Sequence, residues 1–212
     1  MLFRSLPTSL EMTAIVRTNV DEKKRRLLIV ATSAAGAVAS AGVAVPFIAS
    51  WFPSARALAA GAPVEYDISK LEPGQQITIE WRGKPVWILR RTPEMLEKLK
   101  GHDAGLVDPE SKSSNQPEYV KGPGRSIKPE VFIAEGVCTH LGCSPTLKKE
   151  VGAASDMGAD WPGGYYCPCH NSRFDLAARV FKGSPAPSNL AVPPHRYASE
   201  TVLVIGEDTK GA

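Results

Sequence analysis

The sequence predicts an all-β, antiparallel body that follows one N-terminal transmembrane helix. Three observations lead to this prediction. An uncharged apolar stretch near the N-terminus is long enough to cross a membrane, the rest of the chain holds many short runs of strand-forming residues, and Gly and Pro, 18 of each in 212 residues, separate those runs. Such punctuation is typical of turns between short strands rather than of long helices.

Length and charge exclude two classes of protein. A chain of 212 residues fits one domain with appendages or two small domains, so a large multi-domain enzyme is excluded. Lys and Arg number 25 against 22 Asp and Glu, and the net charge of +3 is far below that of a dedicated nucleic-acid binder. We therefore expect no nucleic-acid partner.

The apolar stretch, residues 27–53, is expected to be a membrane anchor. No charged residue occurs from Leu27 to Ala55, whereas a span needs only about 20 apolar residues. Ala57-Leu58-Ala59 is also a possible cleavage site of a removable signal peptide. The apolar run exceeds the usual core of a signal peptide, about 7 to 15 residues, and this favours an uncleaved anchor.

Basic residues around the stretch predict its orientation. Several precede it and few follow it closely; these are Arg17, Lys23, Lys24, Arg25 and Arg26 before it, and Arg56 and Lys70 after it. The positive-inside rule then places residues 1–26 in the cytoplasm and the body outside. Arg25-Arg26 followed by Leu-Leu-Ile is also similar to a twin-arginine export signal, or else the pair only orients the anchor.

Beyond the anchor, small residues predict a flexible hinge at 54–63, and the head follows at 64–212. Strand-forming runs bounded by Gly and Pro lie at 64–68, 76–81, 86–89, 131–134, 164–167 and 201–205. Thr92 before Pro93 is an N-cap followed by Pro at the first helical position, which predicts a helix to residue 100. Residues 101–126 are polar and predict an inserted loop.

Chemistry concentrates in two short segments that contain all four cysteines, Cys-Thr-His-Leu-Gly-Cys at 138–143 and Cys-Pro-Cys-His-Asn-Ser at 167–172. Two sulfur and two nitrogen ligands suit either zinc or an iron–sulfur cluster. A Cys-x-His pair and a Cys-x-x-His pair let each segment supply one thiolate and one imidazole. Cys143 and Cys169 remain, and in an exported domain two such cysteines can be oxidised together.

The two segments resemble the Rieske iron–sulfur signature, in the disulfide-bearing form of the Rieske subunits of proteobacterial ubiquinol:cytochrome c oxidoreductases. The resemblance extends over nearly the whole chain: a basic N-terminus, one anchor, a small-residue hinge, RSIKPE before the first segment and FDLAARVFKGSPAPSNLAVPPHRY after the second. It implies a Rieske-type head with a cluster-binding subdomain, about 136–190, inserted between strands. It also implies a single-pass protein of a bacterial inner membrane with a periplasmic head.

By the same resemblance, one [2Fe-2S] cluster is bound by Cys138 and Cys167 on one iron and by His140 and His170 on the other. Two neutral imidazoles in place of thiolates raise the reduction potential to about −150 to +300 mV, which suits quinol oxidation. The remaining cysteines, Cys143 and Cys169, are expected to form a disulfide. His170 and His140 are the expected catalytic residues. His170 is expected to hydrogen-bond quinol and to take its proton.

Other site residues follow from the resemblance alone. Ser172 is expected to donate its hydroxyl to a bridging sulfide. Phe174 stands where many relatives have a tyrosine that donates to a ligand sulfur, so one hydrogen bond and some reduction potential should be missing. Asn171 replaces a usual glycine and tolerates the same left-handed turn. Pro185 belongs to a loop that covers the cluster, and Leu141 is an apolar tip for docking.

The sequence therefore predicts an electron-transfer subunit of a quinol-oxidising cytochrome bc-type complex, expected to be dimeric. Its expected partners are cytochrome b, a membrane-anchored c-type cytochrome, ubiquinol and the membrane. One alternative is the small Rieske subunit of a periplasmic molybdenum oxidase. Another is a structural zinc module on an anchor, which leaves Cys143 and Cys169 unexplained.

Overall fold

The computed structural model describes residues 21–208. The chain divides into an N-terminal unit that ends at Ser54 and a head that begins at Ala55. Most of the predicted cytoplasmic segment, residues 1–20, and the last four residues of the predicted head lie outside the described residues.

Helix α1, Glu22–Ala49, forms the N-terminal unit. Asp21 caps it by accepting the backbone N–H groups of Lys23 and Lys24 at 3.0 and 3.3 Å. Its 28 residues rise about 42 Å at 1.5 Å each, more than the roughly 30 Å of a hydrocarbon core. It contains Pro46 without ending there, and none of its residues is buried. Within residues 21–208 it is the one helix long and apolar enough to cross a membrane.

The head is built of short antiparallel strands with two short helices among the described residues. In chain order they are α2 Ala55–Ala60, β1 Val64–Asp67, β2 Gln76–Trp81, β3 Lys84–Arg90, α3 Pro93–Lys98, β4 Val131–Glu135, β5 Thr146–Lys148, β6 Gly164–Cys167, β7 Ser172–Phe174, β8 His195–Tyr197 and β9 Val202–Ile205. Single 3₁₀ turns occur at Asp103–Gly105, Glu118–Val120 and Gly152–Ala154. The prediction of an antiparallel all-β head with one N-terminal apolar helix is confirmed.

The strands form three sheets of three strands each, ordered β1-β9-β8, β2-β3-β4 and β5-β6-β7. Strand β1 pairs with the last strand, with Val64 opposite Ile205. The third sheet lies between β4 and β8 in sequence. Where the chain leaves β4 and where it returns, the N–H of Glu135 donates to the carbonyl of Ala191 at 2.8 Å.

Sheet β2-β3-β4 separates two apolar cores because alternate residues of its strands face opposite sides. On β3, Val86 and Ile88 pack into one core with residues of β1 and β9. Trp87 and Leu89 pack into the other, which also contains both free cysteines, Cys138 and Cys167. Burial on both faces explains why β3 and β4 are continuous apolar runs in the sequence.

Helix α3 begins as predicted, with the Thr92 hydroxyl accepting the N–H of Met95 at 3.3 Å and Pro93 in the first turn. The hinge segment contains helix α2. The polar segment 101–126 is more buried than its composition indicates, since Leu106, Ser111 and Arg125 are each almost fully buried.

Candidate metal centre

The two cysteine-containing segments form two loops that close in the same way. The first follows β4, and the second joins β6 to β7. In each, the carbonyl of the leading cysteine accepts the N–H of the residue four positions on, Gly142 for Cys138 and Asn171 for Cys167, at 3.0 Å. Both of these donor residues have a positive φ, 85° at Gly142 and 63° at Asn171. Glycine and asparagine are the residues that adopt this conformation most readily.

Asn171 has an additional support. The Tyr166 hydroxyl, on strand β6, donates to the side-chain carbonyl of Asn171. Asn171 is therefore tied to the strand that precedes its own loop.

The leading cysteines are free and buried, each with 2% of its surface exposed. Burial raises the pKa of the Cys138 thiol, and the neighbouring Cys167 thiol raises it further. A thiolate in this position therefore needs a positive charge beside it, which a bound metal supplies.

The two imidazoles lie next to each other at the end of the loops. The ring centroids of His140 and His170 are 4.7 Å apart and the rings are nearly perpendicular, at 89°. His170 is exposed, whereas His140 is half-buried. The Nδ1 atom of His140 is buried and has no hydrogen-bond partner within the described part of the chain. Such a nitrogen costs about 1–3 kcal/mol unless something binds it.

Cys143 and Cys169 form a disulfide that ties the two loops together, so this prediction is confirmed. The sulfurs of Cys143, Cys167 and Cys169 all lie within 4.8 Å of one another. Two of the three are already bonded to each other and are not thiolate ligands. The donors left for a metal are the buried thiols and the two imidazoles, and this set of two sulfurs and two nitrogens fits a [2Fe-2S] cluster with mixed ligands.

A third segment, residues 185–188, is hydrogen-bonded to residues of both cysteine-containing segments. The Thr139 hydroxyl donates to the carbonyl of Ser188 at 2.7 Å, and Ser172 accepts the N–H of Ala186 at 3.1 Å. Ser172 is fully buried. Pro185 lies in the same segment and is exposed.

The two apolar site residues lie in opposite environments. Phe174 is fully buried, in the core that contains the free thiols. Leu141, at the tip of the first loop, is 71% exposed.

The head also contains a buried polar network that was not apparent from the sequence. Arg125, Arg179 and Asp175 are each at most 1% exposed, and Arg179 pairs with Asp175 at 2.7 Å. Charged residues are seldom buried, so the residue types alone did not indicate that these three lie in the interior. Their positions could have indicated it, because all three lie in the stretches that carry the family resemblance.

Comparison with known families decides the identity. The family model described as "Rieske [2Fe-2S] domain" matches residues 63–194. The chain belongs to the Rieske iron–sulfur family. A second model, described as "Ubiquitinol-cytochrome C reductase Fe-S subunit TAT signal", matches residues 17–54. The Rieske match contradicts the alternative of a structural zinc module.

Three relatives of this Rieske protein are each described as a ubiquinol-cytochrome c reductase iron-sulfur subunit. The protein from Allochromatium vinosum is 58% identical over 193 residues, which cover 91% of this chain and 93% of the relative. Those from Blastochloris viridis and Bradyrhizobium diazoefficiens are 42% and 39% identical, covering 88% and 89% of this chain and 94% and 98% of the relatives. The chain is thus a Rieske subunit of the cytochrome bc1 type, a membrane-anchored component of an oxidoreductase complex, and its cofactor is a [2Fe-2S] cluster.

Proposed function

We propose that this Rieske subunit takes one electron from ubiquinol and passes it to a membrane-anchored c-type cytochrome. Cys138 and Cys167 would hold one iron of the cluster, and His140 and His170 the other. The bound cluster supplies a one-electron acceptor whose potential suits quinol oxidation. The names of the relatives support the substrate, and the donor set supports the ligands.

One observation carries the proposal: the donors lie at different depths. The thiols are 2% exposed, the His140 imidazole is half-buried and the His170 imidazole is exposed. An incoming molecule therefore meets imidazole and never thiolate. This arrangement protects the sulfurs and presents a ring nitrogen to the substrate.

His170 would bind and orient quinol. An imidazole that holds iron through one ring nitrogen would, in its deprotonated form, accept a hydrogen bond from a quinol hydroxyl at the other nitrogen and then the proton. His170 thereby receives the proton at the place where the electron leaves the quinol. The exposed Leu141 side chain, 71% accessible, would dock with cytochrome b and keep water from the hydroxyl.

Electron delivery to the c-type cytochrome requires that the head can move and that it lies on the periplasmic side of the membrane. One fixed position hardly serves both cytochrome b and the c-type cytochrome, so we propose that the hinge, residues 54–63, lets the head move between them within a dimeric complex. The basic residues before the apolar helix support an N-terminus in the cytoplasm and a head in the periplasm. The match to a family of export signals supports the twin-arginine route.

The test uses the complex purified from membranes, with ubiquinol as reductant and a c-type cytochrome as acceptor. We expect Leu141→Ser to leave the visible spectrum of the cluster unchanged and to slow quinol-dependent cytochrome reduction. Val107→Ser removes another exposed apolar side chain, 49% accessible, from a different segment and serves as the matched control. A native complex that carries the cluster but does not oxidise ubiquinol would refute the proposal, and equal rates in both variants would refute the role of Leu141.

A further inference from the structure

Three arginine side chains are buried in the head. Arg91, Arg125 and Arg179 are 2%, 1% and 0% exposed, and one carboxylate, Asp175, is buried among them at 0%. Arg179 bonds directly to Asp175, at 2.7 Å. Within residues 21–208, Arg91 and Arg125 form no ion pair, so positive charge exceeds negative charge in this interior. Buried charge of this kind is costly, and its retention calls for a reason.

Arg125 is bonded to the backbone of the core that contains the free thiols. Its guanidinium donates to the carbonyls of Ala177, Ala178 and Leu190, at 3.0, 3.2 and 2.6 Å. These three residues belong to the same continuous core as the two free thiols. The guanidinium is therefore bonded to residues of the core that contains the thiols.

Arg91 approaches the same core from strand β3. Its guanidinium carbon is 5.1 Å from the centroid of the Phe132 ring, and Phe132 packs in the core with the thiols. Its N–H groups donate only to neutral acceptors, the carbonyls of Pro129 and Gly124 and the Ser126 hydroxyl. Burial lowers the pKa of both Arg91 and Arg125 to about 10, so both stay protonated at neutral pH.

We propose that the buried positive charges of Arg91 and Arg125 raise the reduction potential of the cluster. The reduced cluster carries one more negative charge than the oxidised cluster, so a nearby cation stabilises it more. Inside a protein this interaction is much stronger than in water. The inference rests on the proposed function only in placing the cluster at the two thiols and the two imidazoles.

The experiment measures midpoint potentials of the full-length holoprotein in detergent. Arg91→Met and Arg125→Met remove the charge and keep a long side chain, whereas Arg91→Lys and Arg125→Lys keep the charge and lose the guanidinium bonds. We expect both Met variants to have a lower potential than the native protein and both Lys variants to remain closer to it. High salt should preserve the difference, since buried charges are poorly screened.

Arg90→Met is the matched control. Arg90 is the neighbour of Arg91, is only half-buried, and donates to the carbonyl of Leu71 at 2.6 Å, on the side of the other core. The same formal charge is lost, but solvent and distance screen it, so the potential should barely move.

Two results would overturn the proposal: equal lowering by Met and Lys, which would assign the effect to hydrogen bonding, or no lowering by Met. If Arg125→Met fails to fold, the Arg91 pair decides. Cluster content is checked by visible absorption in each variant. Quinol oxidation is assayed separately in the complex, so a charge-dependent potential without quinol oxidation would contradict the proposed function and leave this inference standing.

Discussion

The hydroxyl of Ser172 accepts the backbone N–H of Ala186 at 3.1 Å, across a separation of 14 residues. This bond occupies an oxygen lone pair and leaves the hydroxyl hydrogen for another acceptor. Burial raises the pKa of the Cys138 thiol, and the Ser172 hydroxyl, as a donor to this sulfur, acts in the opposite direction. Ser172 thus joins the third segment to the ligand loops and also directs a donor at sulfur.

Ser172→Ala should lower the reduction potential, because a donor to sulfur stabilises the more negative reduced cluster. For a one-electron couple, a loss of about 1.4 kcal/mol in the stabilisation of the reduced cluster over the oxidised cluster lowers the potential by about 59 mV. We therefore expect a shift on the order of 60 mV. Protein-film voltammetry measures it. Ser184→Ala is the control, since the Ser184 hydroxyl accepts the N–H of Arg173 at 3.0 Å. A shift of equal size in the control would contradict the role of Ser172.

Phe174→Tyr should raise the potential by adding a hydroxyl donor in the core that contains the free thiols. Phe174 is fully buried, so a new hydroxyl there destabilises the head by roughly 1–3 kcal/mol unless it finds a partner. Potential and unfolding midpoint are therefore measured together. A destabilised variant with an unchanged potential would show that the hydroxyl does not reach sulfur.

Cys143→Ser should loosen the two ligand loops and reduce retention of the cluster. The disulfide partners are separated by 26 positions, and a closed loop of that size is worth about 3.5 kcal/mol in the chain-entropy model. Cluster loss is followed by visible absorption during incubation with a chelator. The double variant Cys143→Ser/Cys169→Ser is the control and should lose the cluster at the same rate. Native-like retention in both would show that hydrogen bonds alone hold the loops.

Acid should destabilise the head through Asp175. Burial alone would raise the pKa of Asp175, but hydrogen bonds from His102 and Arg179 outweigh it and hold the pKa below its ordinary value of 3.8. A carboxyl with a lowered folded pKa contributes stability above its unfolded pKa and loses it as the pH falls through the folded pKa. The free energy of unfolding should therefore fall below about pH 4.

Asp175→Asn should flatten this acid dependence and cost about 3–5 kcal/mol at neutral pH, because it removes the buried counter-ion of Arg179 and leaves only the half-exposed Asp103. Denaturant unfolding across the pH range measures both effects. Asp103→Asn is the control: Asp103 also pairs with Arg179, at 2.9 Å, but its side chain is 53% exposed, so the cost should be below about 1 kcal/mol. An acid dependence that survives in Asp175→Asn would assign it to another group.

Stiffening the hinge should slow quinol-dependent cytochrome reduction by the complex. Replacement of residues 54–63 by a proline run gives a semi-rigid spacer, which should reduce quinol-dependent cytochrome reduction while the cluster spectrum stays native. A Gly/Ser replacement of equal length is the control and should keep most of the rate. Equal turnover with both linkers would refute the proposed movement.

The sequence predicts strands with a strong apolar pattern and misses strands without one. Strands β3 and β4 are apolar on both faces because both faces are buried, and β9 is apolar for the same reason. Strands β5, β7 and β8 have three residues each, too few for a periodic signal. Their positions depend on pairing with β6 and β9, which local sequence does not contain.

The candidate site was predictable to a greater extent because its chemistry is concentrated in two short segments. The identity of the disulfide partners, Cys143 and Cys169, followed from the resemblance and is confirmed. Contacts between distant segments were not predictable, such as Thr139 with Ser188 and Ser172 with Ala186. The burial of Arg91 was likewise hidden, since no local pattern distinguishes a buried arginine from an exposed one.

The bond between Glu135 and Ala191, at 2.8 Å, brings together the two ends of the segment that carries the ligand loops. Loop-closure free energy rises only with the logarithm of loop length, so this segment could lengthen, shorten or be exchanged while β4 and β8 keep their places. Packing, by contrast, requires that the segment be present. Its removal would expose Trp87, Leu89 and Phe132 to water, a patch that invites aggregation. The cluster-bearing segment can thus be exchanged without disturbing the chain ends that flank it, but the head needs it to stay soluble. A graft between Rieske heads must transfer these contact residues together with the loops.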